Sequence, residues 1–222
     1  MKKIAMNIQD AYNDWSATYD TDENLTRDLD QRVTKNTFEN LHFNSVLEIR
    51  CGTGNSTKLL SQIAEDVHAV DFSQGMIDKA KEKIRASNVR FSIANIKEKW
   101  PYEDQSYDLI VCNLVLEHIE DLTWVFSESS RSLGGKGRFF VCELHPFKQY
   151  QGKKAIFNSG KSMTEIPAFV HHITDYIGAA RSNRLELIDL EEWWHEEDQG
   201  GPPRLVSFMF EKGSVRPKHA ST

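Results

Sequence analysis

The amino-acid sequence predicts a single α/β domain in which a mostly parallel sheet carries helices on both faces. Three observations lead to this prediction. An apolar run at 46–49 leads into a glycine-bearing turn at 50–54 and then into a helical pattern. Strand and helix patterns alternate from there to residue 144. The last two strand patterns, at 185–194 and 204–211, flank a polar turn and predict an antiparallel hairpin.

Composition narrows the class of protein. The chain has 222 residues, of which 39% are hydrophobic and 27% charged, as expected of one globular domain. No apolar run approaches the roughly 18 residues that a membrane-spanning helix needs, and the first residues lack the apolar segment of a signal peptide. We therefore expect a cytoplasmic protein with no membrane partner. A formal net charge of −6 argues against a broad basic surface, so we expect no nucleic-acid partner.

The three cysteines are Cys51, Cys112 and Cys142, and they form no C-x-x-C pair. All of them fall in predicted strands or at strand ends. This placement predicts small buried thiols and gives no indication of a disulfide or metal site. We accordingly expect no bound metal.

The turn at 50–54 is the first candidate site. Gly52 and Gly54 let the backbone turn sharply and approach a ligand, and the following helix would direct amide N–H groups at that ligand. Nucleotide-type cofactors bind at such turns. The dinucleotide-binding pattern has a glycine where Arg50 stands and a small residue where Thr57 stands. A dinucleotide-dependent oxidoreductase is therefore a less favoured alternative.

Two helix boundaries are predicted from local signals. Asn55, Ser56 and Thr57 are residue types that cap helix N-termini, so the helix after the glycine turn should begin with them. Gly134 and Gly135 predict the end of a helix that begins near Trp124.

Residues 66–71 form a second strand pattern that ends in Asp71. Its separation from the glycine turn is close to the about 20 residues expected of one strand-helix-strand unit, so Asp71 should lie beside the end of the first strand. A carboxylate there can accept hydrogen bonds from both hydroxyls of a ribose. Asp71 is therefore predicted to bind the ribose of a cofactor.

Several motifs in the correct order resemble those of the class I S-adenosylmethionine-dependent methyltransferases, and in particular the small-molecule branch called methyltransferase type 11. They are YNDWSATYD at 12–20, EIRCGTG at 48–54, DFSQGMIDKA at 71–80 and WPYEDQSYD at 100–108. The resemblance spans residues 12–211. It implies a Rossmann-like seven-stranded sheet of order 3-2-1-4-5-7-6, with strand 7 antiparallel and the cofactor across the carboxyl ends of strands 1, 2 and 4.

The resemblance also implies S-adenosylmethionine as the cofactor and methyl transfer to a small-molecule acceptor. Phe72 and Met76 would line the adenine pocket, and Asn95 stands where the family usually has an aspartate. Arg50 replaces the family's glycine, and two outcomes are open: its guanidinium pairs with the cofactor's carboxylate or with Glu48, or it crowds the turn and weakens binding. We expect its side chain to point away from the cofactor's sulfur, so that Arg50→Gly changes affinity only modestly. The predicted cofactor-binding residues are Tyr19, Glu48, Arg50, Gly52, Gly54, Asp71, Phe72, Met76, Asn95, Ile96 and Asn113.

A general base is needed if the acceptor carries a proton. His145 leaves the fifth predicted strand at the rim where substrates bind, and His171 and His172 lie on a helix predicted at 166–181. We predict that at least one of these three histidines contacts the acceptor, and His145 is the first candidate for the base. His118 is expected, from the family, to cap the helix that follows it.

The domain boundaries follow from these assignments. We expect one domain at 1–212, with a helical cap at 1–41, an insertion on the substrate side at 145–165 and a flexible tail at 213–222. A non-catalytic cofactor-binding or interaction protein derived from a methyltransferase is the second hypothesis, because of Arg50.

Overall fold

The computed structural model describes residues 8–152, 156–158, 163–165 and 168–213. The strands in these ranges are β1 Phe43–Ile49, β2 Ala64–Asp71, β3 Val89–Ile93, β4 Tyr107–Asn113, β5 Leu133–Leu144, β6 Ile156–Asn158, β7 Met163–Glu165, β8 Leu185–Trp193 and β9 Leu205–Lys212. The α-helices are α1 Ile8–Trp15, α2 Leu25–Phe38, α3 Asn55–Ile63, α4 Gln74–Lys83, α5 Leu122–Ser132, α6 Pro146–Tyr150 and α7 Ile173–Ser182. Within these described ranges, no helix combines the length and the apolar character needed to cross a bilayer.

The seven-stranded sheet has the order β3-β2-β1-β4-β5-β9-β8. Strands β1 to β5 pair in parallel, whereas β9 is antiparallel to both β5 and β8. Since β8 and β9 are the sixth and seventh strands of this sheet in chain order, the predicted order and the antiparallel seventh strand are confirmed.

The centre of the parallel part is β1, which pairs with β2 on one side and β4 on the other. Val46 is in register with both Val67 and Leu109. Because parallel strands end at the same edge of a sheet, Asp71 and Asn113, the last residues of β2 and β4, lie beside the turn that follows β1. The topology therefore gathers the predicted cofactor residues at one edge.

The core has two layers, one on each face of the sheet. On one face Phe126 of α5 has its ring centroid 5.1 Å from that of Phe139 and 5.5 Å from that of Phe210. On the other face Phe38 of α2 has its ring 5.0 Å from that of Phe140. Successive residues of β5 thus serve opposite layers. Burying each such side chain contributes about 1.5–3 kcal/mol.

The helix predicted to end at Leu133 ends one residue earlier, at Ser132. The expectation that Gly134 and Gly135 close it was wrong, because both lie inside β5, which begins at Leu133. A Cβ at Gly137 would lie 3.0 Å from the carbonyl oxygen of Gly134 and 3.1 Å from that of Tyr107. The absence of a side chain at Gly137 therefore lets two backbone segments pack closely where the register of β4 and β5 shifts. All three cysteines are buried and free, as predicted.

The helix predicted at 166–181 was too long. Helix α7 begins at Ile173, and residues 168–172 are not helical. His172 is the N-cap residue with extended backbone, and its N–H donates to the Asp175 carboxylate at 2.7 Å. This bond satisfies an N–H that would otherwise lack a partner at the start of the helix.

Helix α1 rests on the start of α4. The Asn13 side-chain oxygen accepts hydrogen bonds from Ser73 Oγ at 2.7 Å and from the Gly75 N–H at 3.2 Å. A Cβ at Gly75 would lie 2.6 Å from Ser16 Oγ. The absence of a side chain at Gly75 therefore lets α1 pack over this end of the sheet.

The segment after β5 begins with α6 and includes the antiparallel ribbon of β6 and β7. Asp198, which is buried, bonds Lys148 Nζ of α6 at 2.8 Å and Arg204 Nε at 2.6 Å. Burial alone would raise the pKa of Asp198, but the hydrogen bonds from Arg204 and Lys148 outweigh it and lower the pKa to about 2. Much of the predicted insertion and, apart from Gly213, the predicted tail lie outside the described residues.

Candidate functional site

The chain turns sharply between β1 and α3. Arg50, Gly52 and Gly54 have φ angles of 58°, 54° and 85°. A Cβ at Gly54 would lie 3.2 Å from Ala80 Cβ and 3.2 Å from Ile84 Cγ1, whereas a Cβ at Gly52 would meet no atom within 4 Å. Gly54 therefore lets the turn pack on α4, and Gly52 leaves open space above the turn.

Gly54 is also the N-cap residue of α3, so the capping role predicted for Asn55, Ser56 and Thr57 was wrong. Thr57 is buried, and its hydroxyl donates to Glu48 Oε2 at 2.5 Å. Burial raises the pKa of Glu48 to about 8, although the bond from Thr57 opposes the rise. Thr57, which departs from the dinucleotide-binding pattern, thus holds the side chain of Glu48 in place at the end of β1.

Asp71 braces the glycine turn. Its Oδ2 accepts from the Gly52 N–H at 3.0 Å and its Oδ1 accepts from the Ser73 N–H at 2.9 Å. Burial raises the pKa of Asp71, although Arg50 and the backbone N–H groups oppose the rise. Each carboxylate oxygen keeps a second lone pair with which to accept a ligand hydroxyl.

Two cavities open at this edge of the sheet. The first, of about 80 Å³, lies over the glycine turn, and the predicted residues that line it are Tyr19, Glu48, Arg50, Gly52, Asp71, Met76 and Asn113. The second, of about 240 Å³, is lined by the predicted residues Arg50, Asp71, Phe72, Asn95 and Ile96. All predicted cofactor residues except Gly54 therefore line one or both cavities. Phe72 and Met76, which were expected to share the adenine pocket, line different ones.

Sequence reasoning missed Asp30 of α2. Asp30 Oδ1 and Asn113 Oδ1 are buried, have no hydrogen-bond partner among the described residues, and belong to residues that line the first cavity. Burial raises the pKa of Asp30 to about 7. A signal was present in the sequence, because Asp30 interrupts the buried apolar face formed by Leu29 and Val33. Two unpaired buried acceptors favour a ligand that brings N–H or O–H donors.

The Arg50 side chain lies inside the cleft. Its guanidinium carbon is 4.0 Å from the centroid of the Tyr12 ring and 5.7 Å from that of Phe72. Nη1 donates to the carbonyl oxygen of Leu114 at 3.3 Å. Tyr12 and Leu114, from α1 and from the residue after β4, were not predicted as site residues.

His145 is the N-cap residue of α6. Its Nδ1 accepts from the Phe147 N–H at 3.1 Å, and its Nε2 lies 2.9 Å from Glu192 Oε1. Both ring nitrogens therefore contact other groups of the protein, and the described lining of the two cavities does not include this residue. Its role as a general base stays a prediction.

His171 and His172 lie in different surroundings. His171 is buried, with Nε2 2.7 Å from the carbonyl oxygen of Ile119 and its ring edge-on to Tyr176. His172 contacts the Tyr150 hydroxyl through Nδ1 at the surface. The structure therefore does not gather the three predicted histidines around one described cavity, and their catalytic roles also stay predictions.

His118 lines the second cavity and lies on a turn of 3₁₀ helix at Leu116–His118. Its Nε2 is 3.2 Å from the Tyr12 hydroxyl. Helix α5 is capped instead by Asp121, which accepts from the Thr123 N–H at 2.8 Å. The expectation that His118 caps this helix was therefore wrong. Its ring instead contacts Tyr12 of α1 and lines the second cavity.

Comparison with known proteins identifies the domain. Residues 47–141, which contain the glycine turn and the strand edge described above, match a family model described as a methyltransferase domain. This match covers less than half of the chain, and the observed strand order is the one that the resemblance to class I methyltransferases implies. The methyltransferase resemblance found in the motifs is confirmed over this segment.

Two curated relatives illustrate the range of this similarity. The chain is 28% identical over 129 residues to malonyl-[acyl-carrier protein] O-methyltransferase 2 of Coxiella burnetii, which covers 57% of the chain and 52% of that protein. It is 24% identical over 175 residues to demethylmenaquinone methyltransferase of Tropheryma whipplei, which covers 75% of the chain and 64% of that protein. The chain spans about half the length of the curated relatives it matches first.

The fold is also similar to that of a solved structure, a putative S-adenosylmethionine-dependent methyltransferase from Listeria monocytogenes. The TM-score is 0.73 at 16% identity, over 86% of this chain and 100% of that chain. At this identity the likeness establishes the fold, and it agrees with the methyltransferase type of sheet.

The donor and acceptor groups of the cleft fit an adenosyl amino-acid cofactor. Such a cofactor carries ribose hydroxyls and an ammonium group, all of which donate hydrogen bonds. The cleft supplies matching oxygens on Asp71, Asp30 and Asn113, and open space above Gly52.

Proposed function

We propose that this protein transfers a methyl group from S-adenosylmethionine to a small-molecule acceptor. One observation carries the proposal. The Asp71 carboxylate, the glycine turn and the unpaired acceptors of Asp30 and Asn113 lie at one edge of the sheet, within a chain that matches a methyltransferase domain. The similar proteins named above include methyltransferases with small-molecule acceptors in their names.

Three groups of residues would hold the cofactor. Asp71 is suited to accept from the ribose hydroxyls, and Phe72 with Asn95 is suited to the base. Asp30 and Asn113 are suited to the ammonium group, because both residues line the first cavity and each has one buried oxygen without a hydrogen-bond partner. These roles rest on the chemistry of the side chains and on which cavity each one lines.

Bound S-adenosylmethionine supplies a methyl group that its sulfonium has already activated. The protein's task is then to align the acceptor with the methyl group and to exclude water. Helix α1 covers the cleft with Tyr12, which contacts Arg50 and His118. If the acceptor carries a proton, His118 is a candidate base because it lines the second cavity, while His145 is the candidate from the sequence.

The test has two stages. Calorimetric titration with S-adenosylhomocysteine measures cofactor binding, and saturable 1:1 binding is expected. Radiolabelled S-adenosylmethionine is then offered with a panel of small carboxylic acids, phenols and quinols, and transfer of label is expected with at least one class. Binding without transfer to any class would favour the non-catalytic hypothesis, whereas binding of a nicotinamide dinucleotide alone would favour an oxidoreductase.

The remaining expectations about partners and location stay predictions. They are a cytoplasmic location and the absence of a nucleic-acid partner. Gel-shift assays with RNA and DNA, and fractionation of cells that produce the tagged protein, would check them.

A further inference from the structure

The Arg50 side chain lies at the junction of the two cavities. It belongs to the lining of both, and the only other residue that the two described linings share is Asp71. The cavities measure about 80 Å³ and about 240 Å³. Both are smaller than the roughly 300–1,000 Å³ of ordinary ligand pockets. A ligand that needs both cavities therefore meets Arg50 in its path.

Three separate segments hold the guanidinium in this place. Tyr12 of α1 presents its ring face at 4.0 Å, and Phe72, which follows β2, lies at 5.7 Å. The carbonyl oxygen of Leu114, which follows β4, accepts from Nη1 at 3.3 Å. Cation–π contacts and a hydrogen bond together make a defined seat for the side chain, so its position is not that of a free surface arginine.

The backbone at Arg50 points to a functional constraint. Its φ of 58° lies in the left-handed region, which disfavours residues with a Cβ. Two residues later the same turn uses glycine, with φ of 54° at Gly52. Backbone strain of this kind persists where the surrounding structure supports it, and it concentrates at binding sites and switches.

We infer that the Arg50 side chain is a displaceable plug that divides the cofactor cleft, and that an adenosyl amino acid has to displace it from Tyr12 to occupy both cavities. This inference rests on the function proposed above. It makes Arg50 a residue that sets cofactor affinity. A ligand small enough for the second cavity alone, such as adenine, binds without moving the plug.

The consequence is a population effect. If the cleft is open for only a fraction of the time, the apparent dissociation constant rises by the inverse of that fraction. A plug that is closed about nine-tenths of the time therefore lowers affinity about tenfold. Removing the Arg50 side chain should therefore raise affinity about tenfold for a ligand that spans both cavities. It should leave the affinity of a ligand that occupies only one cavity unchanged.

The test compares Arg50→Asn with the wild type. Asparagine tolerates the left-handed backbone, so this substitution removes the guanidinium with little added strain. Titration calorimetry with S-adenosylhomocysteine should show a gain of about tenfold or more in affinity. Ligand-observed NMR with adenine should show affinities equal within threefold. The control Arg50→Lys keeps the charge and most of the length, so it should gain less than Arg50→Asn.

Each result has a defined meaning. A loss of affinity for S-adenosylhomocysteine in Arg50→Asn overturns the plug, because Arg50 would then be a ligand of the cofactor. Equal affinity in wild type and variant also overturns the plug and leaves the proposed function standing. Failure of both proteins to bind S-adenosylhomocysteine overturns both proposals. A crystal structure of the wild type with S-adenosylhomocysteine should show the bond from Arg50 to Leu114 broken, and an intact bond would contradict the inference.

Discussion

Arg50 and Leu114 are joined across the cleft by a hydrogen bond of 3.3 Å from the guanidinium to the carbonyl oxygen. Both residues have positive φ, at 58° and 51°. Leu114 follows β4 and Arg50 follows β1, so the bond ties together the ends of two adjacent strands. The contact that divides the cleft thus also braces the edge at which the cofactor is proposed to bind.

Asp71→Ala should weaken binding of S-adenosylhomocysteine by on the order of 2–3 kcal/mol, because two charge-assisted hydrogen bonds to the ribose would be lost together. Titration calorimetry measures the difference. The matched control is Asp66→Ala at the other end of the same strand, where the carboxylate pairs with exposed Arg90 at 2.7 Å. The control should leave affinity unchanged. Wild-type affinity in Asp71→Ala would remove Asp71 from the site.

Asp30 should make cofactor affinity depend on pH. Burial raises its pKa to about 7, so the carboxyl is half protonated near neutrality and becomes charged as the pH rises. A cationic ammonium group binds the charged form better, and affinity for S-adenosylhomocysteine should therefore increase from pH 6 to pH 8. Calorimetric titrations at pH 6, 7 and 8 measure this slope.

Asp30→Asn is the control for that pH dependence. Burial also raises the pKa of Glu48 and of Asp71, so a smaller residual slope is expected in the variant. A slope equal to that of the wild type would show that Asp30 does not face the ammonium group.

His145→Ala separates a structural role from a catalytic one. The imidazole caps α6 and pairs with Glu192, so the substitution should lower the free energy of unfolding by about 1 kcal/mol. If His145 is the general base, turnover should fall by roughly 10²–10⁴ while affinity for S-adenosylhomocysteine stays nearly unchanged. Turnover within about tenfold of the wild type would instead show that the imidazole has a structural role only.

Asp198→Asn should destabilise the fold by about 3 kcal/mol, because it leaves the cations of Lys148 and Arg204 without their buried counter-charge. Urea unfolding measures the change. Glu196→Gln is the matched control, because it removes only an exposed ion pair with Arg32 and should cost less than about 1 kcal/mol.

The same pair of variants gives a pH test. The pKa of Asp198 is lowered to about 2, below its ordinary value, so its stabilising contribution is present above roughly pH 4 and is lost as the pH falls through 2. The difference between wild type and Asp198→Asn should therefore hold from pH 8 down to about 4 and shrink below it. A cost no larger than that of the control would contradict a buried network.

Local sequence signals were sufficient for the strands and for the residues that follow them, whereas the strand order came from the resemblance to the methyltransferase family. Asp71 and the glycine turn directly follow predicted strands, and parallel pairing then brings them together without further information. Asp30 was missed for the opposite reason. It lies on a helix 83 positions before Asn113 in the sequence, and only the packing of α2 on the sheet brings both residues to the lining of one cavity.

The directions of side chains were the second feature that the sequence did not predict. The position of His145 at the end of β5 followed from the sequence, but Glu192 of β8 decides where its ring points. The same holds for Arg50, whose rotamer depends on Tyr12 and on the carbonyl of Leu114. Glycine was an ambiguous signal between α5 and β5, because β5 already begins at Leu133 and the glycine that permits close backbone contacts there is Gly137.

The packing of α1 over the cleft depends on the absence of a side chain at Gly75. A Cβ at this residue would lie 2.6 Å from Ser16 Oγ and 3.0 Å from the Asn13 carbonyl oxygen, so a methyl group requires the Ser16 hydroxyl to move and Asn13 to shift slightly. Gly75 is not among the described residues that line either cavity. Gly75→Ala is therefore a way to loosen the packing of α1 on α4 while every residue that lines the two cavities keeps its native side chain.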